Sequence, residues 1–599
     1  MADSPIEIVI PFFWLTFWIM GGIWVAQWAF VLRRHEQIIV GICTGFILES
    51  LIASRLFLVL PSQPACLISA GLVFLTGLWL FLRSHHSIKE IFPLSIEWVL
   101  LPLLTVLFFN IQRGLKIDND LYYLSVLSKD TAAATPVHNF ITGLPTPVFL
   151  FTQIQQVFNI FPWNALSLGR AFLLSLGILM AGAWAGRMTR HPAAVWVGSL
   201  IAAFAGGAGW LSLLAQNPDL SSTFDIQSPF KIPPVFGDSF YLPLVANFSA
   251  VFLMCFLITG LLLLTNHRWR KVIFGSIYTI LLLVFSLLCS SELLLWMVWF
   301  SLITVFVWMI KHRTFHLPSG MFKWTIITFS AFILFLFQSD QSIWSDLLFL
   351  PLHPLDLFNH LDGDTYSNLI RIFPVILLMP WLFIFIRKLA HNHYWLEGSI
   401  LFAGVINLIL YTFDIDLFLD NMALGFNDSL SAIPLGLILI TYFSTPLVWN
   451  FITTRSQTLK VMAAAWGLAM VLAGLFIFSI QMTALVEPVF PDGLTSLDAQ
   501  AYTDYWNKLD NVYDFNIERG QTVFGKPIKQ IHHLDISPMP PPYFPLIGYK
   551  YVYIDQDFLV NASEKLNEAF NNPCIKTVEE YHAKHGSEYR KILDISTCY

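Results

Sequence analysis

The sequence predicts an all-α polytopic membrane protein of about fourteen spans with a small α/β domain outside the membrane at its C-terminal end. Three observations lead there. Of 599 residues, 56% are hydrophobic and only 12% are charged, about half the charged share with which a soluble domain solvates its surface. Long apolar runs recur along the chain between short polar clusters, and mean hydropathy is +0.66. After residue 483 the composition turns polar and no further run of span length occurs. These features exclude a large cytosolic enzyme, a disordered chain and a disulfide-dense scaffold. A net charge of −6 and a pI of 6.2 leave no general footprint for nucleic acid, so none is expected as a partner.

A helix needs about 20 mostly apolar residues to cross a bilayer. Runs of that kind lie near 9–32, 37–60, 66–83, 92–110, 165–186, 193–214, 243–264, 272–289, 292–310, 322–338, 370–386, 397–413, 429–449 and 460–483. The leader before the first run, Met1 to Glu7, is acidic, and Arg33-Arg34 follow the run instead of preceding it. That order reads as a retained helix with its N-terminus outside, not a cleaved signal. Basic residues then fall at alternate connections: Arg33 and Arg34, Arg83 and Lys89, Arg187 and Arg190, Arg268, Arg270 and Lys271, Lys311, Arg313 and Lys323, Arg387 and Lys388, Arg455 and Lys460. The opposite connections carry acids, among them Asp118, Asp120, Asp219, Asp225, Asp362 and Asp420. Cytoplasmic loops retain positive charge, so both termini are expected outside the cytoplasm.

Residues 1–483 form the expected transmembrane domain, with long outer loops near 111–164, 215–242 and 339–369; loops of that length are usually functional or disordered. Residues 484–599 form the expected extracytoplasmic domain. Gly548 to Asp555 alternates like a strand, Leu559 to Phe570 reads as a helix, and five prolines between Pro538 and Pro545 mark a rigid loop. Cys43, Cys66, Cys255 and Cys289 lie in or beside apolar runs and read as small hydrophobes. On an oxidising face Cys574 and Cys598 are the natural disulfide pair; the alternative is two reduced thiols.

The stretch richest in chemistry is Lys116-Ile117-Asp118-Asn119-Asp120-Leu121-Tyr122-Tyr123, just beyond the fourth span. A carboxylate there can take a proton from an acceptor hydroxyl, or help hold a hard divalent cation such as Mg or Mn through oxygen ligands. Asp-x-Asp in a loop also serves as a turn or helix cap. The motif is followed by Thr135-Pro136-Val137-His138-Asn139-Phe140, then Gly143-Leu144-Pro145-Thr146-Pro147-Val148-Phe149 and a new apolar segment. No Walker A, Rossmann, HExxH or GxSxG pattern occurs.

That order over about 116–151 resembles the first extracytoplasmic loop of the GT-C superfamily of polytopic membrane glycosyltransferases, and the many spans, long outer loops and outer C-terminal domain resemble its architecture. The resemblance is to large GT-C-like bacterial membrane proteins, which places the chain in a bacterial inner membrane and a role in the cell envelope. It implies transfer of a sugar from a polyprenyl-phosphate-linked donor to an acceptor on the extracytoplasmic face, with membrane lipid around the protein. It makes Asp118 or Asp120 the catalytic carboxylate, and the pair the metal ligands if a divalent cation is used. Cations are needed to neutralise the donor phosphate: Arg113, Lys116, Arg170 and Arg371 are the candidates, with His138 as a hydrogen-bond partner. Arg170 can instead snorkel to the interface, and His138 can be a solvated loop residue. The chain departs from the pattern at Asp420 to Asp428, where related bacterial sequences often carry a basic residue near a Gly-aromatic pair and this one has Asn and Asp.

Glu49, Arg55, Glu97 and Glu292 lie within or beside spans, where ionisable groups are costly and point to function. Glu292, at the outer end of its span, can join the Asp118 site or sit exposed at the interface. Two other readings stay open. One is a lipid or solute transporter using the intramembrane charges, against which no paired Gly/Pro-broken helices stand in matching halves. The other is a catalytically inactive GT-C-like envelope-assembly protein, which the departure at Asp420 to Asp428 fits.

Overall fold

The computed structural model describes residues 5–57, 59–84, 96–113, 149–158, 162–189, 191–204, 248–264, 269–289, 319–338, 494–505, 511–514, 517–524, 550–556, 573–583 and 588–598, with runs of one to three residues elsewhere. The described chain is mostly helical and divides into two compact units. One is Met1–Leu115, Pro136–Pro147 and Ser167–Pro488; the other is Lys116–Thr135, Val148–Leu166 and Val489–Tyr599. The sequence reading placed its break at 483/484 and kept residues 148–166 with the membrane portion.

In the first unit α1 (Pro5–Ala29), α2 (Arg34–Leu56) and α3 (Ser62–Arg83) pack mutually. α4 (Glu97–Arg113) follows, then, after α5 of the second unit, α6 (Pro162–Thr189), which enters the first unit at Ser167, α7 (Pro192–Phe204), α8 (Phe248–Leu264), α9 (Val272–Cys289) and α10 (Ser319–Gln338). Among the described residues, four helical stretches are long and apolar enough to cross a membrane: Ile10–Ala29, His35–Leu56, Gln63–Arg83 and Ser167–Arg187. Shorter apolar stretches lie at Glu97–Phe109, Cys255–Leu264, Val272–Leu287 and Phe322–Phe335. The spans expected near 370–386, 397–413 and 429–449 lie outside the described residues, as do most of those near 292–310 and 460–483.

Glycine sets the distance between the first three helices. A Cβ on Gly45 would meet the Trp18 carbonyl oxygen at 2.1 Å, and one on Gly22 would meet the Gly41 carbonyl at 2.3 Å. Gly41-x-x-x-Gly45 thus lets α2 close onto α1, as small residues do where lipid offers no hydrophobic drive for helix association. On the other side of α1, Gly21 stands against Val73 and Gly77 of α3. Trp24 fills the adjoining space with Phe74 and Phe81. α8 and α9 join this core through Phe46, Phe256 and Phe285, and Thr44 on α2 donates to the Tyr278 hydroxyl on α9 at 2.9 Å.

The outward faces are apolar as well. Ile68, Leu72, Leu75, Trp79 and Leu82 form an exposed stripe on α3, and Phe322, Ile326, Phe329 and Ile333 form one on α10. Trp324, Ile327, Ala331 and Phe335 are buried on the opposite face of α10. A helix that is apolar on both faces, one of them exposed, belongs in hydrocarbon.

The second unit contains α5 (Phe149–Phe158), α11 (Ser496–Tyr505), β1 (Val512–Asp514), α12 (Ile517–Phe524), β2 (Tyr551–Asp555), β3 (Lys576–His582) and β4 (Tyr589–Asp594). The strands form one sheet in the order β1-β2-β4-β3. β1 and β2 are parallel, in register Val512 to Tyr551, and the other pairs are antiparallel. A parallel pair requires a crossover, and α12 lies within it. Asn511 enters β1 at φ 57°, a left-handed conformation that Asn tolerates. β2, the strand expected from Gly548 to Asp555, is central, with Val552, Tyr553 and Ile554 buried. The helix expected over 559–570 and the prolines at 538–545 lie outside the described residues.

Candidate functional site

Asp118, Asp120, Lys116, His138, Glu292 and Arg371 lie outside the described residues. Arg113 is the last residue of α4 and Arg170 sits in the third turn of α6; their side chains are likewise outside what is described. The first element after the Asp118–Pro147 segment is α5. Prolines 145 and 147 precede it, and its ten residues contain neither Gly nor Pro, so nothing interrupts the helix.

Leu150, Gln153, Ile154 and Val157 of α5 are buried, and the helix belongs to the same unit as the C-terminal domain. Its Gln155 amide donates to the Tyr502 hydroxyl of α11 at 3.2 Å. Burial pushes the Tyr502 phenol up, against the effect of that hydrogen bond, so Tyr502 is neutral at ordinary pH. The Gln155 carbonyl oxygen is buried and accepts no hydrogen bond among the described residues.

The Asp498 carboxylate ties α11 to the sheet. Asp498 is buried and accepts from the Thr495 amide at 2.7 Å, closing the helix N-terminus. It also accepts from Tyr553 on β2 at 2.8 Å and from Arg590 on β4 at 3.0 and 3.2 Å. Burial raises the Tyr553 phenol well above its usual range, and the Asp498 carboxylate adds to that. A second cluster joins Arg519 of α12 to Asp514 at 2.6 and 2.8 Å and to Asp555 at the end of β2. Burial works to lower the Arg519 guanidinium, but the two carboxylates outweigh it and the group stays charged.

Cys574 is disulfide-bonded. The Thr597 hydroxyl donates to the Cys574 carbonyl, which brings the backbone beside Cys598 against it. The Cys598 side chain itself is outside the described residues. Cys43, Cys66 and Cys255 are buried thiols, in the role of small hydrophobes.

Within the first unit, Glu49 is buried among the first three helices and accepts from the Trp14 indole at 3.3 Å and the Ser69 hydroxyl at 2.7 Å. Far from it along α2, Glu36 accepts the Arg33 amide at 2.9 Å and Arg187 of α6 at 3.0 and 3.1 Å. Arg33 in turn donates to the Gly186 carbonyl at 3.1 Å. His35 and Glu97 feel each other electrostatically; the imidazole Nε2 and the carboxylate Oε2 are buried and have no hydrogen-bond partner among the described residues.

The same end of the bundle receives the connection before α9. The Arg270 and Lys271 amides donate to the Ala29 carbonyl at 2.9 and 3.2 Å, and the Trp269 ring packs on Phe30. Lys323 lies over the Trp269 ring at 3.0 Å. Basic groups from four separate connections therefore share one end.

No group of three or more His, Cys, Asp or Glu residues is arranged to hold a metal among the described residues. Compared with known proteins, the chain matches no family model and no curated relative. Sequence reasoning missed the Asp498 and Glu36 clusters, although both carried a signal. Thr495-x-x-Asp498 is a capping pattern before a helix, and Glu36 stands in the first turn of α2, where an anion is favoured.

Proposed function

We propose that this chain is a polytopic membrane glycosyltransferase of the GT-C type, resident in a bacterial inner membrane with both termini outside the cytoplasm. It moves a sugar from a polyprenyl-phosphate donor to an acceptor on the extracytoplasmic face. The observation that carries the reading is the placement of α5. The helix that immediately follows the Asp118–Pro147 segment folds with the C-terminal domain, through the Gln155–Tyr502 hydrogen bond. α5 thus ties the chain that follows the acidic motif to the domain expected to cover the site or to recognise the acceptor. The apolar outward faces of α3 and α10 support residence in lipid.

In this reading Asp118 or Asp120 takes the proton of the acceptor hydroxyl as the acceptor oxygen bonds to the anomeric carbon. The bond from that carbon to the phosphate oxygen breaks, and its electron pair leaves with the polyprenyl phosphate. Arg113, Lys116, Arg170 and Arg371 neutralise the departing phosphate, with His138 as a hydrogen-bond partner and Glu292 at the rim. If Mg or Mn is bound, Asp118 and Asp120 supply hard oxygen ligands of the type such ions take.

The test follows release of polyprenyl phosphate from bacterial lipid-linked sugars by the purified protein in bilayers. Asp118→Asn or Asp120→Asn should lower release by about 100-fold or more, the range for a lost general base, with membrane insertion unchanged. Full activity in both single variants and in the double variant excludes this site. Donor binding by the wild-type protein without any turnover would select the inactive envelope-assembly reading.

A further inference from the structure

We propose a binding site for an anionic phospholipid at the basic end of the bundle, where α9 and α10 begin. The inference rests on residence in a membrane and not on glycosyl transfer. Lys271 is exposed, and its ammonium lies 5.6 Å from the centre of the Trp28 ring. Arg270, beside it, is held by the Gln27 carbonyl at 3.1 Å, which fixes a second cation in place. Lys323 completes the group above Trp269. Among the described residues neither Lys271 nor Lys323 has a carboxylate partner, so these two ammonium groups can take an external anion.

Directly below the cations the surface turns apolar. Ile273 and Ile277, one turn apart on α9, are 79% and 55% exposed, and Phe322 opens the parallel stripe on the neighbouring α10. Two tryptophans at the level of the cations mark the depth at which headgroups meet hydrocarbon. A ligand that matches both halves needs a negative headgroup at Arg270, Lys271 and Lys323 and acyl chains along the two stripes. An anionic phospholipid has that form. A zwitterionic lipid satisfies only the apolar half, and free phosphate only the charged half.

The experiment uses full-length protein in nanodiscs or detergent, with bound lipid counted by native mass spectrometry. Phosphatidylglycerol and phosphatidylcholine are titrated in parallel. The expected result is preferential binding of phosphatidylglycerol, reduced about fivefold in Lys271→Gln, the effect of about 1 kcal/mol for one basic residue near an anionic surface. Lys271→Arg should retain it. Equal binding of the two lipids, or an undiminished preference in Lys271→Gln, overturns the proposal. If Lys271→Gln does not fold, the wild-type protein is titrated in rising salt. Weakening of phosphatidylglycerol alone supports the site, and parallel behaviour of the two lipids excludes it.

Discussion

Asp498 shows how one buried carboxylate can tie together several elements of a small domain. Its oxygens receive a backbone amide, a phenol and a guanidinium from three elements, and Thr495 adds its hydroxyl at 3.0 Å. Burying a charge is costly unless it is paired and hydrogen-bonded; here both conditions are met. Removing only the counter-charge should therefore hurt more than removing both groups. Arg590→Met is expected to destabilise the second unit by about 3–5 kcal/mol, whereas Asp498→Leu/Arg590→Met recovers part of the loss. Hydrogen exchange of the α11 and β2 amides in the full-length protein measures it. Unchanged protection in Arg590→Met would show that the cluster contributes nothing.

At the scale of the element, the first three helices are joined by close backbone approach and by a polar clasp. Glycines at 22, 41 and 45 bring α1 and α2 together, and the Glu49 carboxylate lies one turn beyond Gly45, where Trp14 and Ser69 reach it. The two features depend on each other, because the clasp closes only when the backbones are near. Gly45→Val would place a Cβ 2.1 Å from the Trp18 carbonyl, and backbone cannot yield as a flexible side chain does. The expected cost is about 1–3 kcal/mol, as for overpacking elsewhere, read as a lower midpoint of thermal unfolding in detergent. Gly71→Ala on α3 meets nothing within 4 Å and should leave the midpoint unchanged. Equal midpoints for the two variants would remove close approach as the cause.

At the scale of the molecule, the basic groups of the first unit have a side. The cations at Arg33, Arg187, Arg270, Lys271 and Lys323, far apart in sequence, share one end of the first unit. Retention of basic connections on the cytoplasmic side predicts that this end faces the cytoplasm. A reporter fused after Tyr599 should accordingly give an extracytoplasmic signal in bacterial cells. A cytoplasmic signal would overturn the topology and, with it, the oxidising environment for Cys574.

The sequence by itself determined what depends on composition along the chain. Lipid as the solvent follows from charge density, helices from the need to satisfy backbone groups internally where water is absent, and the C-terminal domain from the change in polarity after residue 483. Strand β2 was legible from its alternation. The elements 149–158 and 496–505 were not assigned to a common unit, because nothing local in Gln155 or Tyr502 specifies a partner about 350 residues away. The inward face of each helix was equally hidden. In water a polar face marks the outside, but on α3 and α10 both faces are apolar, and periodicity no longer carries a sign. Only the packed structure decides that Gly45 faces Trp18, that Glu36 pairs with Arg187 across 151 residues, and that Asp498 holds the sheet. These are choices among distant partners, made by shape and charge once the helices stand together.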